Sequence, residues 1–214
     1  MTRILHLDAS PRPYQPGTDA PYQSVSRMLS YEFLTALKAV HPGAEVIYRN
    51  LGHAPVPPLD GRMIAAAFTP PEARTPDLAE AIALSDALVD EFLAADIYVF
   101  GVPMYNFNVP APFKAYVDQI VRVGRTFAVS ENGQFQGLVT GKQMYVITTR
   151  GGDFSQGSPI ASLDYQEPWI RTIFGFLGIT DIRFVHTNAL NMGPEAREES
   201  LSKARSEIRT LLGV

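Results

Sequence analysis

Residues 75–105 read TPDLAEAIALSDALVDEFLAADIYVFGVPMY, and this stretch holds the unit from which the fold is built. Thr75 is a good N-cap, Pro76 suits the first helical position, and Asp77 and Glu80 put acids where the helix dipole favours them. Behind them Leu78, Ile82, Ser85, Leu88, Val89 and Phe92 recur at spacings of three and four, which predicts a helix with one buried stripe. The run 96–105 breaks that period. It is rich in apolar, β-branched and aromatic residues and reads as a strand.

The same alternation extends in both directions. Further strands are predicted at 3–9, 45–51, 143–149 and 181–190. Val25, Met28, Leu29, Phe33, Leu37 and Val40 mark a helix, and other helices are expected at 112–123, 168–177 and 195–212, the last after Gly193-Pro194. Strands that alternate with helices form a parallel sheet wrapped on both faces, because right-handed crossovers must cover both. With five strands the expected architecture is α/β, a flavodoxin-like doubly wound sheet of order 2-1-3-4-5. A length of 214 residues fits one such domain over 1–214, with ample core and no need of disulfides or metals.

Composition narrows the function classes. A formal net charge of −4 without basic runs argues against nucleic acid or an anionic membrane as partner. Zero cysteines remove thiolate zinc sites, iron-sulfur clusters and thiol chemistry. Asp8 interrupts the N-terminal apolar run too early for a signal peptide, and no run approaches a membrane span, so a cytoplasmic location is expected. No G-x-G-x-x-G follows a strand, and Gly137–Gln143 is one residue short of a P-loop and ends in Gln. Gly152–Gly157 has the wrong spacing for a nucleophile elbow, and His6, His41, His53 and His186 show no metal-ligand spacing. No catalytic acid, base or metal ligand is assigned.

Function is expected on the loop-rich stretches 11–23, 52–76, 103–112 and 151–167. Three of them follow the carboxyl ends of the first, third and fourth strands, where open α/β sheets bind ligands. Ser10, and Ser24-Val25-Ser26 at the start of the first helix, put small hydroxyls beside free amides, which suits a phosphate. An N-cap and a turn residue account for the same serines. Pro103, Met104, Tyr105, Asn106 and Phe107 interleave apolar and aromatic side chains with an amide, fitting either a flat ring system or a buried loop on the next helix. Thr149, Arg150, Gly151 and Gly152 end the fourth strand with two glycines, giving either close backbone approach to a ligand or a plain turn.

Taken with Glu131-Asn132-Gly133, with 137–142 and with 175–181, these motifs resemble the FMN-dependent NADH-azoreductases, also described as NAD(P)H:quinone oxidoreductases, over essentially the whole chain. The resemblance implies FMN as bound cofactor, with its phosphate held by Ser10 and Ser24–Ser26. Its ring would lie against Met104–Phe107 and Thr149–Gly152. It also implies NADH or NADPH as co-substrate, quinones or azo compounds as acceptors, ping-pong transfer of two electrons, and a homodimer. No residue marks a 2′-phosphate site, so both nicotinamides remain open. Met63–Phe68 is a candidate for the dimer contact, or a short helix packed on its own subunit. The alternative function is a flavodoxin-type electron carrier that does not oxidise NAD(P)H, although such carriers are usually shorter and more acidic. Three departures from the family pattern stand out. The 11–23 loop is long and carries Arg12 and four prolines (Pro11, Pro13, Pro16, Pro21), which suggests an extra wall or lid. Thr149 stands where Ser is frequent, and Val129 where some members carry Tyr, which leaves the acceptor pocket more open.

Overall fold

The computed structural model describes residues 1–18 and 22–214, so Pro21 of the long loop lies outside the described residues. In chain order the elements are β1 (Arg3–Asp8), α1 (Val25–Val40), β2 (Glu45–Asn50), α2 (Gly61–Phe68), α3 (Pro76–Ala94), β3 (Ile97–Pro103), α4 (Ala111–Ile120), β4 (Phe127–Val129), β5 (Phe135–Gly137), β6 (Gln143–Thr149), α5 (Gln166–Phe176), β7 (Asp181–Thr187) and α6 (Pro194–Leu212). Five strands form one sheet of order β2-β1-β3-β6-β7, every neighbouring pair parallel. Counting only these strands, the order is the expected 2-1-3-4-5. The short strands β4 and β5 pair antiparallel as a separate hairpin between α4 and β6.

Helices cover both faces of this sheet. On one face Leu88, Val89 and Phe92 of α3, Phe113 and Tyr116 of α4, and Phe174 of α5 pack on Tyr98, Phe100 and Val102 of β3. On the other, Leu29, Phe33 and Leu37 of α1 and Leu201, Ala204 and Ile208 of α6 pack on Ile97, Val99, Tyr145 and Ile147. The division of β3 follows from the two-residue period of a strand. Aromatic rings fill the first face: Phe92 stacks on Tyr98 at 4.6 Å between centroids, and Phe100 meets Phe113 and Phe174 edge-on at 5.9 and 5.8 Å. No helix among the described residues is long and apolar enough to cross a membrane.

Element ends differ from the expected ones for identifiable reasons. β3 stops at Pro103, which has no N–H to donate, rather than at 105. α4 ends at Ile120 rather than 123 because the Thr126 hydroxyl donates to the Ile120 carbonyl at 2.7 Å and accepts from the Arg122 amide at 2.9 Å. α5 begins two residues earlier than expected, its first amides capped by Asp164 Oδ1 at 2.9 and 3.1 Å. β7 ends at Thr187 rather than 190, because Ala189 takes a left-handed φ of 57° and the chain folds back over the end of β6. Met63–Phe68 falls within the helix α2, capped by Asp60, with Met63 and Ala66 packed on Ile82 and Leu78.

Two consequences of this packing are measurable. Phe100→Ala should lose about 3–5 kcal/mol in urea unfolding, as expected for a buried aromatic, whereas Leu84→Ala on the exposed side of α3 should stay within about 0.5 kcal/mol; equal losses would contradict the assignment of the core. Glu167 on α5 accepts from His186 of β7 and from Arg171, both at 2.7 Å, and these donors hold its carboxyl down to about 2. A depressed acid contributes stability above its ordinary value of 4.5 that is lost as pH falls toward about 2. The stability difference between the native chain and Glu167→Gln should therefore shrink across that window, and a difference independent of pH would show that the contact is not ionic.

Candidate functional site

The site begins where β1 and β3 part. Asp8 pairs with Gly101 across the two strands, and the Ala9 amide donates to the Gly101 carbonyl at 2.9 Å. A Cβ on Gly101 would stand 2.4 Å from Asp8 Oδ1, so the close approach here requires glycine. Beyond this point β1 leads to Ser10 and then to the start of α1. Ser24 is the N-cap, in extended geometry, its hydroxyl 3.3 Å from the Arg27 amide. The first backbone bond of the helix is Met28 N–H to the Ser24 carbonyl, so the Val25 and Ser26 amides lie ahead of it and are free to meet an anion. Ser24 and Ser26 hydroxyls are 3.1 Å apart, and Ser10 Oγ accepts from the Arg12 amide at 3.2 Å.

The second half of the site comes from the ends of β3 and β6. Met104 N–H donates to the Thr149 carbonyl at 2.8 Å, which ties the two exits together. Tyr105 and Asn108 exchange backbone bonds of 2.9 and 3.1 Å around Asn106 and Phe107, whose φ values are 49° and 68°. Positive φ at both central residues makes this a two-residue hairpin turn of the primed kind. Asn tolerates that conformation; Phe rarely does. The Phe107 carbonyl accepts from Tyr165 N–H at 3.1 Å and its ring meets Phe154 edge-on, which fixes the turn.

After β6, the return segment 189–191 lies over 150–152. Ala189, Asn191 and Leu190 donate to the carbonyls of Gly152, Gly151 and Arg150 at 2.8, 2.9 and 3.1 Å. A Cβ on Gly151 would stand 2.6 Å from Asn191 Nδ2, so a larger residue here would displace the Asn191 side chain. Arg150 is buried, its guanidinium turned to Asp164 at 2.8 Å and to Gln166 Oε1 at 3.3 Å. Burial pulls its pKa below the ordinary arginine value against the attraction of Asp164, yet an arginine stays cationic at neutral pH. Its charge is thus spent on anchoring α5 to the loop.

Together these elements enclose one cavity of about 300 Å³. Ser10, Ser24, Val25, Ser26, Pro103, Met104, Tyr105, Thr149, Arg150 and Gly151 all line it. Asn106, Phe107 and Gly152 do not: the first two form the turn behind Tyr105, and Gly152 packs toward Ile160 and Phe154. Four further residues complete the wall, Arg12, Leu190, Asn191 and Arg197. Arg12 entered the sequence reading only as part of a long loop. Leu190 was assigned to a strand and Arg197 to a helix; the available signal was that their elements follow β7, the neighbour of β6. The finished cavity has small hydroxyls, two free helix amides and two exposed guanidinium groups at one end, and apolar and aromatic side chains with a glycine-lined strand exit at the other. That combination suits an elongated ligand with an anionic group and a flat ring.

A family model described as flavodoxin-like fold matches residues 2–212. The FMN-dependent NADH:quinone oxidoreductase 2 of Trichormus variabilis is 57% identical over 209 residues, covering 97% of each chain. Among solved structures, an azoreductase from Bacillus anthracis superposes with a TM-score of 0.88 at 30% identity, covering 99% of each chain. An FMN-dependent NADH-azoreductase of the same species, solved in complex with FMN, gives 0.85 at 25% identity, covering all of this chain and 98% of that one. The chain therefore belongs to the flavodoxin-like family that includes the FMN-dependent NADH:quinone oxidoreductases.

Proposed function

We propose that this chain holds FMN in the cavity described above and passes electrons from NADH to quinones or azo compounds. The observation that carries the reading is the pairing, in one cavity, of the free α1 amides and serine hydroxyls with the ends of β3 and β6. The relatives named above support the cofactor, the donor and the class of acceptor. Ser10, Ser24, Val25 and Ser26 hold the phosphate. Pro103, Met104 and Tyr105, backed by the Asn106-Phe107 turn, form one wall against the ring, and Thr149, Arg150 and Gly151, backed by Gly152, form the other.

The residues present fit that group. The Gly151 and Gly152 amides have no acceptor among the described residues, which leaves them able to donate to a ring heteroatom. FMN, when bound, supplies the two-electron chemistry between nicotinamide and acceptor. What the chain contributes is position and dielectric: fixed amides for the ring heteroatoms, an apolar face at Met104 and Tyr105, and exclusion of water by the 189–191 return. No side chain is assigned the role of acid or base. Donor and acceptor share one slot, which implies alternating, ping-pong turnover, in the cytoplasm where the nicotinamide pool is available.

The reading is tested by the visible spectrum of FMN-loaded protein under anaerobic NADH. Direct bleaching of the flavin bands, and parallel double-reciprocal plots with a quinone, are expected; a long-lived one-electron state with no NADH oxidation would instead indicate an electron carrier. Ser26→Ala should weaken FMN binding about tenfold, the cost of one hydrogen bond to a charged group, and leave riboflavin binding unchanged. Equal loss of both would move the phosphate elsewhere.

We infer in addition that the protein is a homodimer and that α2 lies in the contact. Met63 and Ala66 face α3, while Ile64 and Phe68 are 47% and 78% exposed beside Val123 and Phe127. The β4–β5 hairpin extends this apolar surface through Phe127 to Phe135, which is 67% exposed. A surface of this kind marks an interaction site. Light scattering should give twice the mass of one chain, and Phe68→Asp with Ile64→Asp should shift it toward one; a native monomer would exclude the proposal.

A further inference from the structure

Three ionisable side chains are buried beneath the phosphate end of the cavity without lining it. His6, Asp8 and Arg27 are 5%, 3% and 5% exposed, between β1, β2 and α1. Burial of charge is costly unless every group is paired, so such a cluster calls for a specific role. Arg27 directly follows Ser26 in the first turn of α1, but its side chain turns away from the cavity. Its Nη2 and Nε both donate to the Ser10 carbonyl, at 2.6 and 3.1 Å. Nη2 also donates to Asn50 Oδ1 at 2.5 Å, and Nη1 to the Tyr48 hydroxyl at 2.8 Å. The Tyr48 hydroxyl donates to Asp8 Oδ2 at 3.0 Å, while Ser30 donates to Asp8 Oδ1 at 2.8 Å and lies 3.1 Å from His6 Nε2.

The Ser10 peptide is thus held from behind. Backbone also closes in on it beside Arg27: a Cβ on Gly52 would fall 1.8 Å from the Ser10 carbonyl oxygen and 2.8 Å from Arg27 Nη2. The same peptide unit begins the segment whose Ser10 side chain faces the cavity. Because Asp8 lies 3.7 Å from the Arg27 guanidinium, the two charges largely cancel at the distance of a phosphate, and the direct attraction of Arg27 for an anion is small. What remains is geometry. A planar guanidinium can reach one carbonyl with two nitrogens and still bind Asn50 and Tyr48; an ammonium group, a single point donor, cannot.

We propose that Arg27 is a positioning residue for the phosphate of the cofactor: its fork on the Ser10 carbonyl sets the plane of the phosphate loop against the first turn of α1. This inference rests on the FMN reading above. The test compares dissociation constants of FMN and of riboflavin, by flavin fluorescence titration of apoprotein, in native protein, Arg27→Lys and Arg27→Met, with thermal midpoints measured alongside. Arg27→Lys keeps the cation opposite Asp8 and carries the experiment if the methionine variant does not fold. The expected result is a rise of about tenfold or more in the FMN constant for both variants, with riboflavin changed by less than about twofold, so that the preference for the phosphate-bearing ligand collapses. Full retention of FMN affinity by Arg27→Lys would overturn the proposal in favour of charge alone. Equal weakening of FMN and riboflavin would overturn it in favour of a merely structural role. Failure of native protein to bind FMN at all is a different outcome, which removes the FMN reading and this inference with it.

Discussion

The structure depends on one constraint, the divergence of chain at the boundary between β1 and β3. Strand β2 lies to one side of β1 and β3 to the other, so the loops leaving β1 and β3 run to opposite sides and leave a crevice between them. The two strands can come together there only because Gly101 yields the space that Asp8 occupies. Everything at the cavity follows from that approach. The Ala9 bond to Gly101 fixes where Ser10 begins, the α1 N-terminus arrives above it, and the Met104 bond to Thr149 brings the β6 exit into the same opening.

Much of this was legible in the sequence, for physical reasons that can be named. Thr75-Pro76 marks a helix start by local chemistry, and an apolar run of strand length between helical periods marks a buried parallel strand. Both signals are local and strong. The three-residue strands β4 and β5 are too short to show a period, and α2 is nearly apolar all round, which hides its face; its readable sign was Asp60 as N-cap. The end of β7 turns on a positive φ at Ala189, a conformation that alanine does not announce. Leu190 therefore reads as strand, although it folds back with Asn191 over 150–151 to close the cavity.

The buried cluster under Ser10 shows a different limit. Arg27 sits in sequence next to Ser24–Ser26, where it reads as an ordinary polar helix residue. Its partners, Ser10 just beyond β1 and Tyr48 and Asn50 of β2, come within reach only through the parallel register that sets Asp8 beside Asn50. A polar network of this kind is specified by tertiary structure rather than by local pattern, and it stabilises only when all its members are satisfied.

The two ends of the cavity are accordingly built by different physics. At the phosphate end, backbone amides and hydroxyls are held by buried bonds, so their positions are set before any ligand arrives and little ordering accompanies binding. At the ring end, contact is made by side chains that remain partly exposed, with Tyr105 at 38% and Phe107 behind it at 45%. On the proposed reading, a rigid anchor at one end and an open, apolar shelf at the other divide the work. The first end would then govern how firmly FMN is retained, and the second which flat molecules can lie beside it. On that reading, loop residues at the open end could vary to alter acceptor choice without disturbing the anchor, because no hydrogen bond of the Ser10 network passes through them.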